Sequence, residues 1–211
     1  MYDRIVCFDL FDTLVIPLKT SGASYSDVLV RLGVPHDRVY PFVRDHLMTN
    51  DLTIEEMVSA LFSEFGIDRD RYRMELQEAI DSWGEDNNYQ WIVGATELLE
   101  ELGRVPGLAL ALISNVTKPG WEAVNRQLSV GERFHTLHLS WKQRVAKPNP
   151  RCWLGQMDLL NERTVILSRC WMVGDNQADD LDTPASIGWN TYLAAKDGSN
   201  LDGVRKLILG E

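Results

Sequence analysis

The 211-residue sequence predicts an α/β protein, a Rossmann-like, doubly wound parallel sheet with an inserted α-helical cap domain. Two observations point there. From Gly94 onward, apolar runs suited to buried strands alternate with helical segments, the pattern of consecutive βαβ units. Between the first apolar run and Gly94 no good buried strand occurs, and apolar periodicity with turn signals divides the stretch into four helices. The expected division is a core of residues 1–16 and 92–211 and a helical cap of residues 17–91.

Taken in order, the first strand is Arg4 to Phe8, which runs into Asp9-Leu10-Phe11-Asp12-Thr13. The helices of the insertion are Ser26 to Leu32, stopped by Gly33, and Asp37 to Met48, after Pro35. A third starts at Thr53-Ile54-Glu55-Glu56, capped by Thr53 or Asp51, and runs to Phe65 before Gly66. Arg69 to Trp83 ends at Gly84. The connections back to the core fall near Val15 to Leu18 and Asn87 to Val93. Beyond them come helices Ala95 to Leu102, Pro119 to Leu128, Pro150 to Leu160, Ala178 to Ile187 and Leu201 to Leu209. The intervening strands are Leu108 to Ile113, Thr136 to Leu139, Cys170 to Val173 and Thr191 to Leu193. Right-handed crossovers place the carboxyl ends of the first, second and fourth strands on one rim.

Composition narrows the function. A hydrophobic content of 45% supplies a core, and no run of 18 apolar residues offers a membrane span. Asp3 and Arg4 stand at the start of the first strand, so no signal peptide is expected and the expected location is cytoplasmic. Three cysteines without metal-like spacing argue for buried free thiols. A formal charge of −10 without a basic stripe disfavours nucleic acid as a partner. Asn115-Val116-Thr117 matches a glycosylation acceptor without a secretory context. His36, His46, His135 and His138 show no ligand spacing. Trp83 and Trp91 flank the second connection, where they could line the mouth of the insertion.

Chemistry concentrates at the strand ends, because ligands of open parallel sheets bind outside the carboxyl ends of the strands. Asp9 lies one residue beyond the first strand, and Ser114-Asn115 ends the second. Lys147-Pro148-Asn149-Pro150 follows the third, and the fourth delivers Gly174-Asp175, with Asp179 and Asp180 close behind. Each alone has an ordinary explanation: Asp caps helices, Ser forms turns, and acids favour helix N-termini.

Together and in this order, the four segments resemble the haloacid dehalogenase (HAD) superfamily, most of whose members are phosphohydrolases. The resemblance rests on Asp9 with Thr13, Ser114, Lys147, and Gly174-Asp175 followed by Asp179 and Asp180. It implies that the first strand lies centrally, between the second and fourth, and that the helical insertion closes over the rim as a lid. It also implies that Asp9 is a nucleophile forming an aspartyl-phosphate. Mg²⁺ is the implied cofactor, held by Asp9, Asp175, Asp180 and the backbone carbonyl of Phe11; its preference for hard oxygen ligands suits such a set. Ser114, Asn115, Thr13 and Lys147 would hold the phosphate of a small phosphorylated metabolite. Asp180 or Asp179 would orient water and Lys147.

Phe11 is the departure. The family's phosphatases carry an acid there that protonates the leaving oxygen and later activates water. Asp12 is the one neighbour that could substitute. Two groups of relatives lack that acid: the haloacid dehalogenases, with an aromatic residue at the position, and the phosphonate hydrolases, which keep the metal. Retention of Asp175 beside Asp9 and Asp180 favours a phosphorus reaction, since three crowded carboxylates need a cation. A ligand-binding or regulatory homologue without turnover is the remaining alternative.

Overall fold

The computed structural model describes residues 2–18, 24–81, 84, 89–159 and 167–210. Five parallel strands form the main sheet: β1 (Arg4–Phe8), β4 (Leu108–Ser114), β5 (Thr136–Leu139), β6 (Cys170–Gly174) and β7 (Asn190–Leu193). Their order is β5-β4-β1-β6-β7, so β1 is central, between the second and fourth sheet strands of the chain. Register follows the apolar runs: Cys7 faces Ala111 on one side and Met172 on the other.

Because successive side chains alternate between faces, each central strand feeds two apolar layers. Val6, Phe8, Leu110 and Leu112 pack on one face, with Leu98, Leu102, Val124, Val204 and Ile208 from helices α5 (Ala95–Gly103), α6 (Lys118–Leu128) and α10 (Leu201–Leu209). Ile5, Cys7, Ala111, Ile113 and Met172 pack on the other, against Trp153 of α8 (Arg151–Leu154) and Leu181. A strand buried on both sides is apolar throughout, which is why the seven residues of β4 are all buried.

The insertion has an apolar cluster of its own, built from α1 (Tyr25–Arg31), α2 (His36–Phe42), α3 (Ile54–Phe65) and α4 (Arg69–Asp81). Thr53 and Glu56 close a reciprocal capping box at the start of α3, and Gly66 ends that helix in the left-handed region. Pro41 lies inside α2, and the helix widens directly afterwards into a π turn, Val43–Leu47.

Three features differ from the sequence expectation. The segments expected to be plain connections form a second, antiparallel sheet in which β2 (Val15–Pro17) pairs with β3 (Tyr89–Trp91). Strands this short leave no periodic signal, and their pairing is wholly tertiary. The helix expected from Pro150 to Leu160 is α8 followed by a 3₁₀ turn, Gly155–Leu159; residue 160 lies outside the described residues. The helix expected from Ala178 is a π turn, Gln177–Leu181, continued by α9 (Asp182–Ser186). Trp83 lies outside the described residues, whereas Trp91 packs against the sheet cluster under the Arg133 guanidinium.

Candidate active site

The turn after β1 makes the site possible. The N–H groups of Leu14 and Val15 donate to the Leu10 carbonyl, and that of Asp12 to the Val15 carbonyl, which leaves the Phe11 carbonyl outside the turn's hydrogen bonds. Asp12 sits at φ 59°, a left-handed conformation that short polar side chains tolerate better than most. The tight turn folds Thr13 back, so that its fully buried hydroxyl donates to Asp9 Oδ2 at 3.3 Å and lies 3.5 Å from Asp175 Oδ1.

Lys147 enters from the loop beyond β5. Its backbone N–H donates to Asn115 Oδ1 at 2.8 Å, and Asn115 Nδ2 donates to its carbonyl at 3.1 Å. Asn115 thereby fixes the backbone of the lysine, and its side chain also hydrogen-bonds Tyr40. The Lys147 ammonium, 3% exposed, lies 2.5 Å from both Asp9 Oδ1 and Asp180 Oδ1. Burial alone would lower the Lys147 pKa, but the two carboxylates outweigh it and hold it above its ordinary value. Burial also pushes the Asp9 carboxyl up to about 7, with Asp180 and Asp175 adding to the effect and Lys147 opposing it.

The fourth segment shows why glycine precedes Asp175. A Cβ on Gly174 would collide with the Asp180 side chain, which folds back over it and accepts from the Asn176 N–H at 3.0 Å. Asp9, Asp175 and Asp180 thus converge, each offering an oxygen within 4.8 Å of the others. Two oxygens on opposite sides of one Mg²⁺ would be about 4.2 Å apart, so a small closure would let the set hold a divalent cation. Five carboxylates, Asp9, Asp12, Asp175, Asp179 and Asp180, share the cavity of about 280 Å³ with the ammonium groups of Lys147 and Lys196. Their formal balance of −3 suits a cation before it suits an anion.

Asp179 and Asp180 point to different places. Asp180 is 1% exposed and held by Lys147, whereas Asp179 faces the insertion and accepts from the Tyr40 hydroxyl at 2.8 Å. Ser114 is buried at the end of β4, and its hydroxyl has no hydrogen-bond partner among the described residues. An orphaned buried hydroxyl costs about 1–3 kcal/mol, so an acceptor supplied by a ligand would relieve it.

Two residues at the site escape sequence reasoning. Lys196 bridges Asp12 Oδ2 at 2.7 Å and Asp175 Oδ2 at 3.0 Å. Its place just past the last strand, on the ligand-binding rim, was the signal available. Tyr40 carries no such signal, because only the packing of the insertion brings it to the rim. Phe11 points its ring at Tyr89, 5.9 Å between centroids, and the Asp12 carboxylate is turned to Lys196.

Residues 4–188 match the model of the haloacid dehalogenase-like hydrolases. The chain belongs to that family. Among solved structures it resembles a HAD family enzyme of Bacteroides thetaiotaomicron crystallised with magnesium and inorganic phosphate, at 17% identity, over 94% of this chain and 98% of that one, TM-score 0.63. A HAD hydrolase of Bacillus subtilis, YfnB, bound to magnesium, is similar at 16% identity over 99% and 100%, TM-score 0.65. A 2-haloacid dehalogenase of Pseudomonas syringae is similar at 21% identity over 96% and 88%, TM-score 0.56. At these identities the likeness is one of fold. No curated protein matches the sequence, and no helix among the described residues is long and apolar enough to cross a membrane.

Proposed function

We propose that this hydrolase is a Mg²⁺-dependent phosphatase of small phosphorylated metabolites, working through an aspartyl-phosphate on Asp9, with residues 17–91 as its cap. The observation that carries the reading is the convergence of Asp9, Asp175 and Asp180 around Lys147, with carboxylates in excess of cations. Magnesium bound in the Bacteroides and Bacillus relatives, and phosphate in the first, supports the same choice of cofactor and substrate. Asp9, Asp175, Asp180 and the Phe11 carbonyl would hold Mg²⁺, which when bound supplies positive charge against the crowding of carboxylates and the approach of a phosphate dianion.

The chain's residues then divide the work. An Asp9 oxygen attacks phosphorus, the bond to the leaving oxygen breaks, and the leaving group departs with the electron pair. Lys147 orients Asp9 and faces the transferring oxygens, and the Ser114 hydroxyl gives a phosphate oxygen its donor. Water then attacks the phosphorus of the acyl phosphate, returning the Asp9 carboxylate and releasing inorganic phosphate. Phe11 supplies neither the acid of the first step nor the base of the second, and Asp12 is engaged with Lys196. Leaving groups that need no proton, such as aryl oxides and carboxylates, are therefore the preferred ones.

The test is a metal-dependent screen of phosphorylated metabolites and acyl phosphates, followed by single turnover in ¹⁸O-water. Label first appearing in phosphate, with phosphate trapped on Asp9, supports the mechanism; halide release from 2-halo acids in excess chelator would establish the dehalogenase alternative instead.

A further inference from the structure

A second chamber, of about 220 Å³, opens beside the carboxylate cavity and shares Phe11, Met48 and Asn115 with it. Its walls are Phe11, Pro17, Tyr25, Met48, Tyr89 and Val116. Among the described residues, no ionisable acid or base of ordinary range lines it. Burial pushes the Tyr25 and Tyr89 hydroxyls up to about 12, so both stay neutral. The polar groups at its floor are committed to the fold: the Thr117 hydroxyl accepts from the Gly120 N–H at 3.3 Å, and the Asn115 amide is held on the Lys147 backbone. The chamber is built from both halves of the molecule, with Tyr25 and Met48 from the insertion and Phe11 and Val116 from the sheet rim.

From this arrangement, resting on the phosphatase reading above, we infer that the chamber holds the organic half of the substrate and that this half is a single uncharged aromatic ring. Continuity fixes the occupant: a phosphoryl group placed at Asp9 has the chamber next to it, across the Phe11 ring. Size sets the limit. A dry cavity of about 150 Å³ accommodates benzene, so the present one, at about 220 Å³, has room for a single ring with a short substituent. Charge sets the chemistry, since a second anionic group would meet apolar walls on one side and five carboxylates on the other. The tilted contact of Phe11 with Tyr89 provides an aromatic wall whose edges and faces suit another ring. The presence of Phe11 in place of an acid is thereby given a second use: a phenolate leaves without a proton, and the ring beside it binds the phenyl group.

Titration calorimetry of the full chain in Mg²⁺ with phenylphosphonate and methylphosphonate tests the assignment without depending on turnover. Burial of the ring should make phenylphosphonate bind on the order of tenfold tighter or more. Met48→Trp, which fills the chamber from its partly exposed edge, should bring the ratio towards one. Equal affinities of the two phosphonates for the native protein would overturn the chamber assignment while leaving the phosphatase reading standing; binding of neither would remove both. A ratio that persists undiminished in Met48→Trp would also count against the chamber, because the ring would then sit elsewhere.

Discussion

At the rim of the sheet, Lys147 is 3% exposed and shared between two buried carboxylates, whereas on the facing insertion Tyr40 and Arg44 reach Asp179 across partly open ground. Arg44 stays 24% exposed in that contact, at 3.7 Å, and Tyr40 is 41% exposed. Asp179 and Asp180 are adjacent in the chain, yet they serve these two regions separately. The lesson is one of dielectric: at the rim each partner depends on the others, because an unpaired charge there cannot turn to water. Across the gap, solvent screens what is lost. The rim is held by buried ion pairs, and at Asp179 the insertion meets it through partly exposed contacts.

Breaking the rim should therefore have the largest effects. Asp9→Asn removes the nucleophile and should reduce turnover at least about 10⁴-fold, with near-native thermal unfolding; a variant retaining the native rate would falsify the mechanism. Lys147→Met leaves Asp9 and Asp180 buried without their cation and should cost about 3–5 kcal/mol of stability, read from urea denaturation in chelator. A loss below about 1 kcal/mol would mean the ion triad is solvated after all.

Phe11→Asp adds an acid facing the same cavity. Turnover of alkyl phosphates should rise by part of the 10²–10⁴-fold that a positioned acid supplies, while aryl phosphates, which lose the Phe11 ring from their chamber, should show a higher KM. If native protein already hydrolyses alkyl esters efficiently and Asp12→Asn abolishes this, the acid's role belongs to Asp12. On the insertion side, Tyr40→Phe deletes one hydrogen bond to a carboxylate and should raise KM a few-fold with little change in stability. An effect as large as that of Lys147→Met would erase the contrast between the two regions.

The smallest effect concerns His138, buried behind the Lys147 loop with Nε2 2.9 Å from the Val145 carbonyl. Burial, reinforced by Lys147, lowers its pKa below the ordinary 6.5, against the opposing Val145 carbonyl. The unfolded chain then takes up the proton first, so stability is full above about pH 6.5 and declines as pH falls towards the folded value. His138→Gln should flatten that slope in denaturation curves recorded between about pH 5 and 7. An unchanged slope would assign the acid sensitivity to other groups.

The sheet and its central strand were legible because residues 5–8, 108–113 and 170–173 form apolar runs without interruption, as strands covered on both faces do. That Asp9, Ser114 and Asp175 share a rim was legible for a related reason, as each ends or follows one of these strands, whereas Lys147, in a loop eight residues beyond β5, was placed there by the family resemblance. What escaped depends on contacts that leave no local pattern. β2 and β3 are three residues each and exist through one another. Lys196 gains its place through Asp12 and Asp175, and Tyr40 through the way α2 packs. The π turn at Gln177–Leu181 sets which of two successive acids turns inward, and periodicity at 3.6 residues could not fix that choice.

Cys7, Cys152 and Cys170 are all buried, with thiols that burial pushes up, to about 12 for Cys152 and about 11 for Cys170. Since the thiolate is the reactive form, the native chain should be almost silent towards maleimides. A pair of cysteines introduced at exposed positions, one on α3 and one on α10, could then carry a donor and an acceptor dye without deleting any native residue of the core. The distance between the insertion and the sheet could be followed molecule by molecule as phosphonate is added.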